Sequence, residues 1–262
     1  MRHAKKSLGQ NYLIDLNIVK KIINLTKVNN KNILEIGPGK GALTEEILRN
    51  KPKSLILIEK DNLLSKKLKL KYSDNKKITI YNKDILKFNF EKILKANSII
   101  VGNLPYNISS QILAKIIKFK NWPPKYSDLI FMFQKELAER IIGKFNTSKY
   151  GRLSILRNYR LYILNKFNVS PNCFVPRPKV DSTVLHFKPN KKIFKEIKNI
   201  ESLEKITQIL FSSKRKMINK AISKIFKNPK LLSQKLNIDL SLRPDQLSEN
   251  DFYRIAEYYE KI

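Results

Sequence analysis

The sequence predicts an α/β fold: an open, largely parallel sheet with helices on both faces, plus a small all-helical domain at the C-terminal end. Three observations predict it. Short apolar runs alternate with segments of helical periodicity between residues 15 and 142. A glycine cluster, Gly37-Pro38-Gly39-Lys40-Gly41, falls between one apolar run and the helix after it. Beyond Pro189 the strand-like runs stop, and helical spacing with basic clusters takes over.

Taken in order, Lys5 to Leu13 reads as a loop or arm. Asp15 is placed to cap an amphipathic helix running to about Thr26, with Ile18, Ile22, Ile23 and Leu25 as its apolar set. Asn32–Ile36 is a short buried strand, and Ala42–Arg49 is the helix beyond the glycines. Ser54–Ile58 forms a second strand ending at Glu59, and Asp61 to Tyr72 is helical. Ile78–Tyr81 is a third strand ending near Asp84, and Ser98–Gly102 is a fourth. A helix from Ser109 to Phe119, a strand over Asp128–Phe133 and a helix from Gln134 to Ile142 follow. Leu161–Val169 and Val180–Phe187 are two further β segments. The piece between them holds Pro171, Pro176 and Pro178 and reads as a shaped loop, since proline cannot donate to a ladder. The expected domains are 1–189 for the sheet and 190–262 for the basic helices, with no internal repeat.

Hydrophobic residues make up 42% of the 262, enough for a real core. No apolar run approaches the ~20 residues that span a bilayer, and the basic N-terminus lacks the apolar stretch of a signal peptide, so a cytoplasmic protein with no membrane partner is expected. Cys173 is the sole cysteine, which excludes an intrachain disulfide and argues against a cysteine-based zinc site. Lys and Arg number 53 against 22 Asp and Glu, a formal net charge of +31. Codon bias in an AT-rich genome explains lysine over arginine but not the shortage of acids. Such a charge favours a polyanionic partner through counterion release.

Asn103-Leu104-Pro105-Tyr106, at the end of the fourth strand, suits the gripping of a planar, amino-bearing base. The Asn103 side-chain oxygen and the Leu104 carbonyl can accept from an exocyclic amino group, and Tyr106 can stack on the base face. Pro105 fixes φ and brings no donor. Gly37-Pro38-Gly39-Lys40-Gly41-Ala42 fits the loose nucleotide-loop pattern, and glycines there permit a tight turn and close approach to a ligand. Glu59 stands ~20 residues on, where a ribose-hydroxyl acceptor is expected. Asp84 can accept from an adenine amino group; the competing reading is an N-cap for a short turn. Dinucleotide dehydrogenases share the layout but not the tetrapeptide. The joint pattern resembles the adenosylmethionine-dependent methyltransferases, with their Rossmann-like class I sheet.

Seven segments in order carry a closer resemblance: Leu8-Gly9-Gln10-Asn11-Tyr12-Leu13, Leu34 to Gly39, Gly102 to Ser109, Phe133-Gln134-Lys135-Glu136, Tyr150 to Ser154, Phe174 to Ser182, and Lys214-Arg215-Lys216. On these the chain resembles the small-subunit ribosomal RNA adenine dimethyltransferases, the KsgA family. The resemblance implies an S-adenosyl-L-methionine site at Asn11, Leu13, Gly37, Gly39, Glu59, Asp84 and Asn103. It implies catalytic positions at Asn103, Leu104, Tyr106 and Phe174, the two rings flanking the target base. It implies as targets two adjacent adenosines near the 3′ end of small-subunit (16S) rRNA, in an immature small ribosomal subunit, and no metal. Tyr12 departs from a family that often has Phe there. Lys214, Arg215 and Lys216 are the expected phosphate contacts, which set affinity and register more than sequence choice. A monomer is expected. Two other readings stay open at this point: a large-subunit rRNA adenine N6-methyltransferase and a non-catalytic ribosome-assembly factor. His3 and His186 are set aside as catalysts, and Lys135, Glu136 and Arg140 as a solvated or ion-paired face.

Overall fold

The structure is a computed structural model that describes residues 11–191 and 197–262. The expectations for His3, Lys5, Lys6 and the Leu8-Gly9-Gln10 part of the arm lie outside the described residues. In chain order the elements are β1 (Tyr12–Leu13), α1 (Leu16–Ile23), β2 (Asn32–Ile36), α2 (Ala42–Arg49), β3 (Ser54–Glu59), α3 (Asn62–Lys71), β4 (Ile78–Asn82), β5 (Ser98–Asn103), α4 (Ser109–Ile117), β6 (Tyr126–Gln134), α5 (Lys135–Ile142), α6 (Arg152–Arg160), β7 (Leu161–Val169), β8 (Phe174–Val175), β9 (Ser182–Pro189), α7 (Ile200–Phe211), α8 (Asn219–Ser223), α9 (Pro229–Leu236) and α10 (Glu249–Tyr259).

Seven strands form one sheet in the order β4-β3-β2-β5-β6-β9-β7. The five from β4 to β6 run parallel, and β9 returns antiparallel to β6, with Gln134 opposite Ser182. Parallel strands covered on both faces read as unbroken apolar runs, as Ser98–Val101 does; all four of its residues are buried. From β2 the chain proceeds outward to β3 and β4, then crosses back to β5 and β6. The carboxyl ends of β2 and β5 therefore flank the point where strand order reverses, which is where such sheets open a crevice. The helices begin where capping chemistry allows. Asp15 accepts from the backbone N–H groups of Asn17 and Ile18, at 2.8 and 3.1 Å, and Asp61 does the same for Leu63 and Leu64.

Two expectations are corrected. The sequence suggests no strand in the arm before α1 or in the proline-rich loop, yet β1 and β8 pair antiparallel, with Tyr12 opposite Val175 and Leu13 opposite Phe174. Two-residue strands are too short to show alternation. The division at residue 189 coincides with the expected one, but residues 139–162 fall with the second unit instead of the first. One compact unit holds the described residues through Ala138 with Ile163–Pro189; the other holds Glu139–Tyr162 with the described residues of Asn190–Ile262. The insertion of residues 139–162 has a physical basis in α6. Its Arg152 pairs with Glu204 at 2.8 Å, its Asn158 donates to Glu249 at 3.1 Å, and Tyr159 stacks obliquely on Tyr253 with centroids 4.9 Å apart. Beyond Pro189 every regular element among the described residues is helical, as expected.

Candidate active site

The turn after β2 is built on glycines in the left-handed region. Gly39 has φ +59°, and a Cβ placed on it would lie 3.2 Å from the Tyr12 ring, so both backbone and space demand glycine. Lys40 lays its ammonium 4.6 Å from the centroid of the same ring. The Gly39 N–H donates to Glu59 Oε2 at 3.1 Å, and the Asp61 N–H donates to Oε1 at 2.8 Å. Glu59, at the end of β3, is buried; burial pushes its carboxyl above the usual range, partly offset by these backbone donors. Asp84, beyond β4, receives the Lys60 ammonium on Oδ2 at 2.9 Å and the Leu86 N–H on Oδ1 at 2.9 Å. The Lys60 bond leads in holding its carboxyl below the usual range. Oδ1 thus makes the local turn-capping bond, and Oδ2 shares its lone pairs with Lys60.

The end of β5 comes close to β2 because residue 102 is glycine: a Cβ there would sit 2.7 Å from the Ile36 carbonyl oxygen. Next in line, Asn103 Nδ2 donates to the main-chain oxygen of Asn11 at 2.9 Å. That bond assigns the amide. The nitrogen end is committed to a carbonyl, and the oxygen is left as an acceptor. Leu104 is buried, whereas Tyr106 is half-buried and bonded through its hydroxyl to Ser182 Oγ at 2.5 Å. Burial raises the Tyr106 hydroxyl above the usual tyrosine range, so it keeps its proton.

Asn11, Leu13, Gly37, Gly39, Glu59, Asp84, Asn103, Leu104 and Tyr106 all line one cavity. Phe174 does not. The ring is 2% exposed and belongs to the core with Leu13, its partner across β1 and β8. Its apolar bulk holds the two short strands together. In the second unit, the Lys214 ammonium donates to the carbonyls of Ser148 and Tyr150 at 3.4 and 3.3 Å, with Asp245 4.0 Å away. Arg215 and Lys216 are exposed. His186 is buried and bonded to Asp128 at 2.7 Å, away from the cavity lining. Lys135 faces Asp181 at 3.7 Å as half of an ion pair. Among the described residues no group of three or more His, Cys, Asp or Glu is arranged to hold a metal ion, and no helix is long and apolar enough to cross a membrane.

Glu35 was overlooked as a chemical group. It is 1% exposed, lines the cavity, and receives the Thr44 hydroxyl at 2.6 Å. Burial pushes its pKa up to about 8. The signal was available: an acid in the middle of an otherwise apolar strand needs a reason to be there. The donor set as a whole fits S-adenosyl-L-methionine. Ile36, Ile58 and Ile85 give apolar walls for a purine, Glu59 and Asp84 give carboxylates for hydroxyl and amino hydrogens, and Glu35 is a buried acid available to a cation.

A parallel sheet with a glycine turn at the switch point, an acid closing the next strand and Asn-Leu-Pro-Tyr closing the fourth defines a class I, Rossmann-like methyltransferase. Two solved structures share the fold. A dimethyladenosine transferase from Plasmodium falciparum superposes with a TM-score of 0.76 at 28% identity, covering 95% of this chain and 97% of that one. The 23S rRNA methyltransferase ErmE gives 0.65 at 21% identity, covering 95% and 100%. Residues 1–261 match the family model described as "Ribosomal RNA adenine dimethylase", and the chain belongs to that family. "Ribosomal RNA small subunit methyltransferase A" of Pelagibacter ubique is 46% identical over 259 residues, 99% of this chain and 98% of its own. The protein of that name from Francisella tularensis subsp. novicida is 38% identical over 259 residues, 97% of each.

Proposed function

We propose that the protein transfers methyl groups from S-adenosyl-L-methionine to N6 of two adjacent adenosines near the 3′ end of small-subunit rRNA, giving N6,N6-dimethyladenosine during subunit biogenesis. It works as a monomer in the cytoplasm, on rRNA within an immature small subunit. The observation that carries this reading is the Asn103 carboxamide, tethered by its nitrogen so that its oxygen is the free acceptor, in the same cavity as the glycine turn and Glu59. The small-subunit relatives, similar over nearly their whole length, support the choice of RNA.

The chemistry required of the protein is positioning. Adenine N6 is a weak nucleophile because its lone pair is delocalised into the ring. In the first transfer Asn103 Oδ1 and the Leu104 carbonyl accept the two N6 hydrogens, and in the second one of them accepts the single hydrogen left; these bonds strengthen as positive charge develops on nitrogen, and the proton displaced at each transfer leaves N6 for solvent. Tyr106 stacks on the extruded base; such stacking is worth about 1–3 kcal/mol and offsets part of the unstacking cost. The bound cofactor supplies an already activated methyl group, so in-line placement is the main demand on the site. Gly37, Gly39, Glu59 and Asp84 hold the cofactor, and Asn11 and Leu13 close the cavity over it. Arg215 and Lys216 bind phosphates of the folded RNA.

Unmethylated small subunits incubated with labelled S-adenosyl-L-methionine, digested and analysed by mass, test this. Dimethyladenosine at two neighbouring positions is the expected product. Label on protein-free large-subunit rRNA, or none despite bound cofactor and subunit, would overturn it.

A further inference from the structure

The Tyr106 hydroxyl has no place in that chemistry. Base stacking uses the ring face, and a phenylalanine would stack equally well. The hydroxyl instead reaches past the end of β6 to the first residue of β9, where it meets Ser182 Oγ at 2.5 Å. Ser182 is fully buried and well anchored. It stands opposite Gln134 in the β6–β9 ladder, and the carbonyl of Asp181 beside it accepts the Lys135 N–H at 2.9 Å. On the other side, the Ser109 hydroxyl donates to the Tyr106 carbonyl at 3.2 Å. Tyr106 is therefore held at both ends, by α4 at its backbone and by β9 at its ring tip.

We propose that Ser182 is a positioning residue: through the Tyr106 hydroxyl it fixes the ring in the plane against which the target base is presented to Asn103. The inference rests on the stacking role of Tyr106 stated above. A ring free to swing still offers a stacking face but lets N6 wander from its acceptors, and placement errors of that size are costly where positioning supplies most of the rate.

Four variants test it: Ser182→Ala, Tyr106→Phe, the pair together, and Ser182→Thr. The two single variants are expected to lower kcat/KM for small subunits about tenfold, as loss of one hydrogen bond would. Cofactor affinity should hold, the double variant should be no worse than either single, and Ser182→Thr should retain most of the activity. Additive losses, wild-type turnover in Ser182→Ala, or a parallel fall in cofactor affinity and melting temperature would overturn the proposal. A second measurement does not depend on the reaction. In ring-labelled tyrosine NMR, with Tyr106 assigned through Tyr106→Phe, Ser182→Ala should shift and sharpen the Tyr106 signals and leave those of Tyr150 in place. Unmoved Tyr106 signals would defeat the tether even if wild-type protein proved inactive on small subunits, a result that would by itself defeat only the assigned substrate.

Discussion

Asn103 and Asn11 are joined by a 2.9 Å hydrogen bond from side-chain nitrogen to main-chain oxygen, across 92 residues of chain. The bond ties the segment before α1 to the catalytic geometry proposed for Asn103, because the carboxamide cannot turn over without abandoning it. Asn103→Ala should lower kcat by about 10²-fold or more, the scale seen when one preorganised transition-state partner is lost, while cofactor affinity changes little. Asn103→Asp should be as damaging, since it sets a carboxylate oxygen against the Asn11 carbonyl. Single-turnover kinetics beside calorimetric cofactor titration measure both, and equal losses in the two would remove the assigned role.

Glu35 should make stability and cofactor binding depend on pH. Its folded pKa of about 8 stands above the ordinary 4.5. Between those values the folded chain keeps a proton that the unfolded chain has released. Its contribution is full below about pH 4.5 and is lost as pH rises through about 8, at up to ~1.4 kcal/mol per unit. The raised Glu59 adds to the same trend. Glu35→Gln keeps an acceptor for Thr44 and should flatten the stability profile measured by denaturant melts from about pH 5 to about pH 9. A cation in the cavity favours the carboxylate, so wild-type cofactor affinity should climb with pH more steeply than that of Glu35→Gln, in which only the raised Glu59 remains.

Lys115 secures the loop that carries Asp84. From α4 its ammonium donates to the carbonyls of Leu86 and Phe88 at 2.6 and 3.0 Å. Lys115→Met preserves the aliphatic stem and removes both bonds. KM for the cofactor should rise by about tenfold for two lost charged hydrogen bonds at a partly exposed site, with kcat less affected. A fall in kcat alone would show that the loop needs no such clasp.

Arg215 and Lys216 should behave as phosphate contacts. Replacing either with alanine should weaken subunit binding and reduce the slope of log affinity against log salt by ~1, without changing which nucleosides are methylated. Lys214→Ala is the contrasting case. Its ammonium holds the Ser148 and Tyr150 carbonyls, so a lower melting temperature should accompany any loss of binding. Filter binding over a salt series, with melts run alongside, separates the two.

The inner strands of the sheet were legible because they are buried on both faces. Asn32–Ile36 and Leu161–Val169 match their expected limits, and the glycine turn sits where strand and helix meet. α6 was not legible. Its Arg152, Arg157 and Arg160 look like a solvated face, but Arg157 is buried and donates from Nε to the Ile141 carbonyl at 3.0 Å. Only tertiary packing reveals that such an arginine is interior. The Asn103–Asn11 and Tyr106–Ser182 bonds were hidden for a related reason: both join residues far apart in sequence, beyond the reach of any local pattern. The burial of Phe174, a ring of the proline-rich loop, in one core cluster with Leu13 likewise shows only in the folded chain.

The place of β9 between β6 and β7 matters before the protein is finished. β6 carries an unbroken apolar run, Leu129-Ile130-Phe131-Met132-Phe133, and its outer edge is covered only when Ser182–Pro189 arrives. During synthesis the parallel half of the sheet exists with that edge bare, a ready template for pairing with another nascent chain. Between translation of residue 134 and residue 189 the chain therefore carries an unpaired strand edge that the folded enzyme does not show, and a truncation within that interval would leave it bare.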